Sequence, residues 1–383
     1  MQGRLRGVIE AVELERPGVQ EVRVRTEGRE QEASDGSTRR ALNFTTLNGR
    51  VRPGDRVRLN TVAVEMQLGT GGYDFVISSD PQPPLDPPAG HILKLRYTPL
   101  QTPVLTVEAP ESPHHDAMRL FAGLDDLPVV CAELHSQVPA ICAAARWALS
   151  ACHYPRPGRI VYVMTEGAAL PIALSRLVPE MRRCGLLDTT ITAGQAFGGD
   201  LEAVNLYSAL AAAKEVAGAD IVVVAQGPGN VGTDTPLGFS GIDQGIAVNA
   251  AASLGGVPIV AARISFADPR TRHRGLSHHT VTTLCTVARA HALVPLPRLP
   301  KTQQQELVRV LQEHRIEETH QVITVDAGRG LDALLASGLE VTTMGRTVEE
   351  ERPFFLAAAA AGLLAAQLAE IRLLNRKAGE DPG

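Results

Sequence analysis

The sequence predicts an α/β protein: a mostly parallel sheet with helices on both faces, Rossmann-like, preceded by a small N-terminal β-barrel-like domain. Three observations carry this. From about residue 128, short apolar runs alternate with longer helical segments. Residues 1–80 read instead as short strands of alternating character, and a proline-rich joint separates the two regions. Strands alternating with helices imply right-handed βαβ crossovers and a parallel sheet. Evenly spaced short strands imply a barrel or rolled sheet.

In the first region the runs "EVRVRT", "ALNFTTL", "DRVRLNT" and "YDFVIS" are separated by turn signals. Pro53 and Gly54 in "RPGD" suit positions i+1 and i+2 of a type II turn. "LGTGGYDFV" (Leu68–Val76) reads as a hairpin device. "DPQPPLDPPAG" carries five prolines in eleven residues and favours an extended spacer. The expected division is residues 1–80 for the small all-β domain, 81–90 for the linker and 91–383 for the α/β domain. "HILKLRYTPLQTPVLTVEA" would open the latter, and an alanine-rich helix would close it.

In the second region "PVVCAEL", "RIVYVMT", "DTTITAG", "ADIVVVAQ", "VPIVAARISF", "QVITVDAG" and "LEVTTMG" are the expected strands. The continuous run Ile221–Val224 fits a strand buried on both faces. Helices are expected over "PAICAAARWAL", "ALPIALSRLVPEMRR", "LEAVNLYSALAAAKEV", "GIDQGIAVNAAASLG" and "HHTVTTLCTVARAHA".

Composition narrows the function classes. With 383 residues, two or three domains of ~150 residues are expected. A hydrophobic content of 44% with 21% charged residues is that of a globular protein. The net charge of −5 gives no general attraction to nucleic acid or anionic membrane, so neither partner is expected. The cysteines Cys131, Cys142, Cys152, Cys184 and Cys285 form no CxxC, which argues for reduced, mostly buried thiols and a cytoplasmic protein. "MQGRLRGVIEAVEL" has no apolar core of a signal peptide. "PFFLAAAAAGLLAAQLA" is slightly short for a ~20-residue span and contains Gln367, so it reads as a helix packed into the body or a subunit interface, with a homodimer as one outcome.

Ligands of open α/β sheets bind outside the carboxyl ends of the strands. Those ends are polar and glycine-rich here: Glu133–Ser136 with His135, Thr165–Gly167 with Glu166, Gln195 with Gly198–Asp200, Gln226–Gly227, and Asp326 with Gly328. Asp200 would alternatively cap a helix starting near Leu201. "GPGNVG" (Gly227–Gly232) formally matches GxGxxG, but no helix follows at once and no acidic residue ends a second strand at the needed offset. A dinucleotide is therefore not expected. A nest of backbone N–H groups over Gly227, Gly229, Asn230, Gly232 and Thr233 would instead cradle an anion. Ser240 in "GFSGI" is one residue short of a nucleophile elbow and reads as a helix cap.

The densest chemical signal is "RISFADPRTRHRGLSHHT". Arg263, Arg270, Arg272 and Arg274 repel one another in so short a loop, so an anion, Asp268, Asp234 or a neighbouring subunit must compensate them. Ser277 is a good N-cap, which puts His278 and His279 in a first helical turn, where the macrodipole favours neutral imidazoles. Neutral histidines suit proton transfer. His273 lies in the same loop. No metal site is expected. There is no HExxH or paired Cys/His spacing among Glu133, His135, His273, His278 and His279, and histidines at i and i+1 of a helix diverge by ~100°. No cofactor is named by any motif.

The segments "LGTGGYDFV", "GHILKLRYTPLQ", "AELHSQVPA", "VMTEGAALPIALSRLV", "GQAFGGDLEAVN", "GPGNVGTDTPLGFSG" and "FADPRTRHRGLSHHT" together resemble the bacterial family catalogued as domain of unknown function 3866. The likeness runs almost end to end. It implies a bacterial cytosolic protein and brings no activity, substrate or catalytic residue.

The residues themselves suggest a hydrolase or transferase for a small anionic or phosphorylated molecule. Gly227–Thr233 would supply donors, and Arg270, Arg272 and Arg274 would neutralise charge. His278 or His279 would move the proton, and Glu166, Asp200 or Asp268 would orient a histidine or water. This requires the glycine loop and the arginine–histidine loop to face each other. The alternative is a non-catalytic ligand-binding or oligomeric scaffold protein.

Overall fold

Five strands close into a barrel at the N-terminal end of the chain: β1 (Arg4–Arg16), β2 (Val19–Thr26), β3 (Thr38–Phe44), β4 (Arg56–Asn60) and β5 (Asp74–Asp80), in the order β1-β2-β3-β5-β4. The computed structural model describes residues 3–27, 37–85, 90–151 and 157–380, with the side chains of the last helix described to residue 375. β3 and β5 run parallel and the other barrel pairs are antiparallel, the strand order of an OB-fold. Irregular register near Ala11 and Leu14 bends β1, which pairs with both β2 and β4. Strand alternation fills the interior. In β4, Val57 and Leu59 point inward to meet Ile9, Val22, Val24 and Val76, while Arg56, Arg58 and Asn60 face solvent. The expected turn is present: Gly54 takes φ +96 and Asp55 N–H donates to Arg52 O at 3.1 Å.

One-turn helices α1 (Thr45–Asn48) and α2 (Val62–Glu65) interrupt the barrel strands, and the hairpin β6 (Ile92–Lys94) and β7 (Thr102–Val104) follows. The chain divides into two compact units, Met1–Leu105 and Thr106–Gly383. That hairpin, expected to open the second domain, falls in the first unit. Residues 86–89 of the proline-rich segment lie outside the described residues.

The second unit is built on an eight-stranded parallel sheet. Its strands are β8 (Pro128–Ala132), β9 (Ile160–Thr165), β10 (Thr189–Ala193), β11 (Leu201–Ala203), β12 (Ile221–Gln226) and β13 (Val257–Ala261), then, after the two-residue ribbon of β14 (Ile264–Ser265) and β15 (Gly275–Leu276), β16 (Leu293–Pro297) and β17 (Gln321–Val325). The order is β11-β10-β9-β12-β8-β13-β16-β17. The helices are α3 (His115–Arg119), α4 (Val138–Ala151), α5 (Leu177–Arg183), α6 (Leu206–Glu215), α7 (Asp243–Ser253), α8 (His278–Thr282), α9 (Lys301–Glu313), α10 (Gly328–Ala336) and α11 (Arg352–Glu380). Right-handed crossovers that advance in opposite directions fall on opposite faces. Thus α4, leading from β8 to β9, packs with α10 and α11, while α6 and α7 pack together on the other side.

Several elements differ from expectation. Leu201–Ala203 is an edge strand, so the helix does not begin there; Asn205 caps α6, its Oδ1 accepting from Ser208 N at 3.0 Å. β16 was hidden by Pro295 and Pro297, which usually demote a strand. "LEVTTMG" makes a turn closed by Thr343 and Arg346 rather than a strand. Helix α8 lasts one turn before a π-helical turn over Thr283–Val287.

Helix α11 is long and apolar enough to cross a membrane by length and composition, yet 72% of its apolar window is buried within the protein. Ala357–Ala361, Ala365 and Ala366 are inaccessible, so the small-residue face is spent against its own unit. At Gly362 a Cβ would meet the carbonyl oxygen of Ile141 at 2.2 Å, so glycine alone allows α11 this close to α4. Cys131 and Cys142 are buried, Cys184 is half-buried and Cys285 is exposed, all four as free thiols. Burial pushes the Cys142 thiol up to about 12. Cys152 lies outside the described residues.

Candidate functional site

The connection after β8 leads to one side of the sheet and the connection after β13 to the other, so the crevice between their C-terminal ends is a switch point. The strands part there and their last backbone groups need partners. Two buried glutamines supply them. Gln137 Oε1 accepts from Glu133 N and Leu134 N, both at 3.0 Å, and its Nε2 donates to Ala261 O at 3.1 Å. Gln244 Nε2 donates to Cys131 O at 2.8 Å and Ala261 O at 2.9 Å.

Glu133, one residue beyond β8, projects into this crevice and is fully buried. Its Oε1 accepts from Arg263 Nη1 at 3.0 Å and from His279 Nδ1 at 2.6 Å. Burial alone would raise the Glu133 carboxyl, but the Arg263 guanidinium and the His279 contact outweigh it and hold the group below its ordinary value. An ionised Glu133 accepts, so Nδ1 of His279 carries a proton and its Nε2 points away from the carboxylate. Glu133 Oε2 is buried and has no partner among the described residues.

The β14–β15 ribbon closes the arginine–histidine loop and brings its two ends together. Ser277 N–H donates to Arg263 O at 2.9 Å and Arg263 N–H to Thr280 Oγ1 at 3.0 Å. Ser277 caps α8 as expected, accepting from His279 N at 3.3 Å. His273, from the turn Thr271–His273, contacts Ser277 Oγ through Nδ1 at 2.8 Å. The ring centroids of His278 and His279 are 4.3 Å apart, and those of His273 and His279 4.8 Å. The expected divergence of i and i+1 side chains therefore does not keep these imidazoles apart, and one nitrogen of each of the three lies within 4.8 Å of the others. Burial, then Arg263 and Arg270, pushes His273 down to about 3. Burial and His279 lower His278. Both are neutral near pH 7.

The glycine loop meets this cluster. Residues 231–240 fold back on themselves as a flap: Gly232 bridges Phe239, Thr233 N donates to Gly238 O at 2.9 Å, and Ser240 N donates to Val231 O at 2.9 Å. Phe239 stacks on His279 and Arg272 Nη1 pairs with Asp234 Oδ1 at 2.8 Å. The flap base is pinned by Asn230 Oδ1, which accepts from Ser240 Oγ at 2.9 Å and Gln226 Nε2 at 3.1 Å. Ser240 thus holds the flap rather than capping a helix. Of the expected nest, Thr233 spends its N–H group inside the flap, as do Val231 and Gly238. Gly227 is needed for close approach, since a Cβ there would lie 2.5 Å from Ala169 O, while Gly229 is exposed with φ +99.

A second pair of strand ends, β9 and β12, adds carboxyls. Asp243 Oδ2 accepts from Thr165 Oγ1 at 2.9 Å, and burial together with nearby Glu166 raises Asp243 above its ordinary value. Gln226 Nε2 donates to Glu133 O at 3.1 Å, and Gly241, which packs on the Glu133 side chain, leads into Asp243. Sequence reading placed Asp243 in a helix and gave it no role. Phe239 and Gln137, both essential to this geometry, carried no motif.

Other expected site residues are engaged elsewhere. Asp268 receives Arg270 through two nitrogens at 2.9 and 2.8 Å and Arg346 at 3.4 Å, so it is the counter-ion of the loop rather than a partner of an imidazole. Those contacts, led by Arg270, hold it far below its ordinary value. Arg274 donates to Phe266 O at 3.1 Å. Asp200 accepts from Thr190 and Arg182 at the start of β10, the opposite end of the strand from the crevice, and Glu166 accepts from Gln195 N at 2.6 Å. His135 is buried between Tyr162 OH at 3.0 Å and Ser175 Oγ at 2.7 Å, a packing role. Two open clefts lie apart from the histidines, one of about 800 Å³ lined by Arg298, Lys301 and Arg309, the other of about 400 Å³ lined by Glu108, His115 and Tyr207.

A family model described as "Protein of unknown function (DUF3866)" matches residues 40–362, and the chain belongs to that family. Comparison with curated proteins and with solved structures finds no match.

Proposed function

We propose that the chain is a cytosolic enzyme, a hydrolase or transferase, acting on a small anionic molecule in the crevice between β8 and β13. The observation that carries the reading is the set of three neighbouring imidazoles, one of them bonded to the buried Glu133. Carboxyls whose environments push them apart are the arrangement that acid–base chemistry uses. Glu133 is held below its ordinary value and accepts from His279 Nδ1, while burial holds Asp243 above its ordinary value. His278, lowered by burial and by His279, offers a lone pair to substrate or water.

Anion recognition rests on one arginine. Arg263 and Arg270 are committed to buried Glu133 and Asp268. Arg272 pairs with Asp234, whose side chain is 69% exposed on the flap. Exposed pairs of this kind contribute ~0–1 kcal/mol, so a substrate phosphate or carboxylate can take the place of Asp234.

A thermal-shift screen of small phosphorylated and carboxylated metabolites tests the reading. A compound that stabilises the wild type should fail to stabilise Arg272→Ala, and its conversion, followed by mass spectrometry, should be lost in His278→Ala. Equal stabilisation of the wild type and Arg272→Ala, or conversion untouched by His278→Ala, would remove it.

A further inference from the structure

The grouping of three histidines goes beyond what proton transfer needs. His279 spends Nδ1 on Glu133 and His273 spends Nδ1 on Ser277, so each has Nε2 left over. His278 Nε2 is buried with no hydrogen-bond partner among the described residues. A buried imidazole nitrogen without a partner has lost its water and gained nothing in exchange. That nitrogen lies beside His273 and His279, one ring nitrogen of each of the three being within 4.8 Å of the others, and one cation would satisfy it.

We propose that His273, His278 and His279 hold one divalent transition-metal ion of the zinc class. The inference concerns the crevice of the proposed activity and rests on that reading only for the use of the ion. Three imidazoles with a fourth position left open are the donor set of a catalytic zinc site, and hard cations such as magnesium or calcium prefer oxygen. The carboxylate behind His279 is the partner that metal-bound histidines commonly carry, since it fixes the tautomer and raises the basicity of the coordinating nitrogen.

Nitrogens ~2.0–2.1 Å from a tetrahedral ion lie about 3.4 Å apart. The nitrogens here are within 4.8 Å, and binding an ion requires the rings to draw closer than that. The flap faces the His279 ring edge with a glycine. Gly232 is the residue facing the ring, and a side chain there would begin 3.8 Å from His279 Nε2, inside the space that an ion and its water require. The positive neighbours do not forbid a cation, because Arg263, Arg270 and Arg272 are matched by Glu133, Asp268 and Asp234.

The full chain, stripped with a chelator and dialysed, is titrated with zinc chloride in a calorimeter and followed by thermal shift. One ion per chain is expected, with a rise in Tm that magnesium and calcium chloride do not reproduce. His278→Ala should lose binding, Glu133→Gln should weaken it ~10–100-fold, and Cys285→Ser should leave it unchanged. Circular dichroism of the metal-free variants identifies any that fail to fold. Crystals soaked in zinc should then show an anomalous peak among the three imidazoles. No zinc uptake by the wild type, undiminished uptake by folded His278→Ala, or a peak elsewhere would overturn the site. Zinc bound here by a protein that converts no metabolite would leave the metal site standing and remove the enzyme reading.

Discussion

The ring of Phe239 lies flat on the imidazole of His279, with centroids 3.9 Å apart and planes 5° from parallel. This contact joins the flap to the first turn of α8, and it places an aromatic lid over the histidine that Glu133 orients. Removing it should loosen the flap while leaving the sheet intact. A stacked pair contributes ~0.5–1.5 kcal/mol beyond its buried area. In Phe239→Ala, amide exchange at Thr233 and Ser240 should accelerate by about 2–10-fold, with exchange in β12 unchanged. Unchanged exchange at those two amides would show that the stack does not hold the flap.

Glu133 and Arg263 form an ion pair whose side chains are 0% and 4% exposed. Breaking such a pair from one side leaves a buried charge with poor compensation and costs ~3–5 kcal/mol. Urea unfolding of Glu133→Gln should show a loss of this size. Glu133→Gln combined with Arg263→Gln should recover part of it, because the stranded guanidinium is gone. A double variant that loses the sum of the two single effects would contradict the pairing.

His135 gives a dependence of stability on pH. Burial, opposed by its contact with Gln226, lowers its value from 6.5 to about 4. Between those values the unfolded chain binds a proton that the folded chain refuses, so stability rises with pH across the window. The contribution is complete above pH 6.5 and is lost as pH falls toward about 4, amounting to ~3 kcal/mol. Chemical denaturation of His135→Gln should show a shallower decline than the wild type between these two values, by up to one proton. Parallel curves would mean that His135 does not titrate in this way.

Gly362 sets the approach of α11 to α4. A Cβ would land 2.2 Å from Ile141 O, a backbone atom that cannot swing aside. Gly362→Ala should therefore destabilise the second unit by ~1–3 kcal/mol, although alanine is the better helix former. A rise in Tm would show that the helices have room to separate.

Much of this architecture is legible in the sequence because it follows from periodicity. Runs such as Ile221–Val224 announce buried parallel strands, and the alternation of Arg56, Val57, Arg58 and Leu59 announces a barrel strand. Whether the glycine loop faces the arginine–histidine loop is left open by the sequence, and the contacts of Arg272 with Asp234 and Phe239 with His279 join the two. What escaped depends on three-dimensional context. β16 pairs through a sheet despite Pro295 and Pro297, and Leu201–Ala203 could not be told from a helix start without its partner β10. His273 is brought to His278 by the ribbon at Ile264–Leu276, a two-residue pairing with no sequence signature. The charge balance of the loop was open for the same reason. Whether Arg270 serves a ligand or Asp268 depends on where the turn folds, and it folds onto Asp268.

The most direct test of the crevice is the crystal structure of the chain with a metabolite that raises its Tm. The ligand should lie beside the Phe239–His279 stack, with its anionic group on Arg272 and its reactive end within hydrogen-bond or coordination distance of the His273, His278 and His279 cluster. A ligand seated instead in the cleft of Arg298, Lys301 and Arg309, with the crevice under the flap empty, would contradict the account.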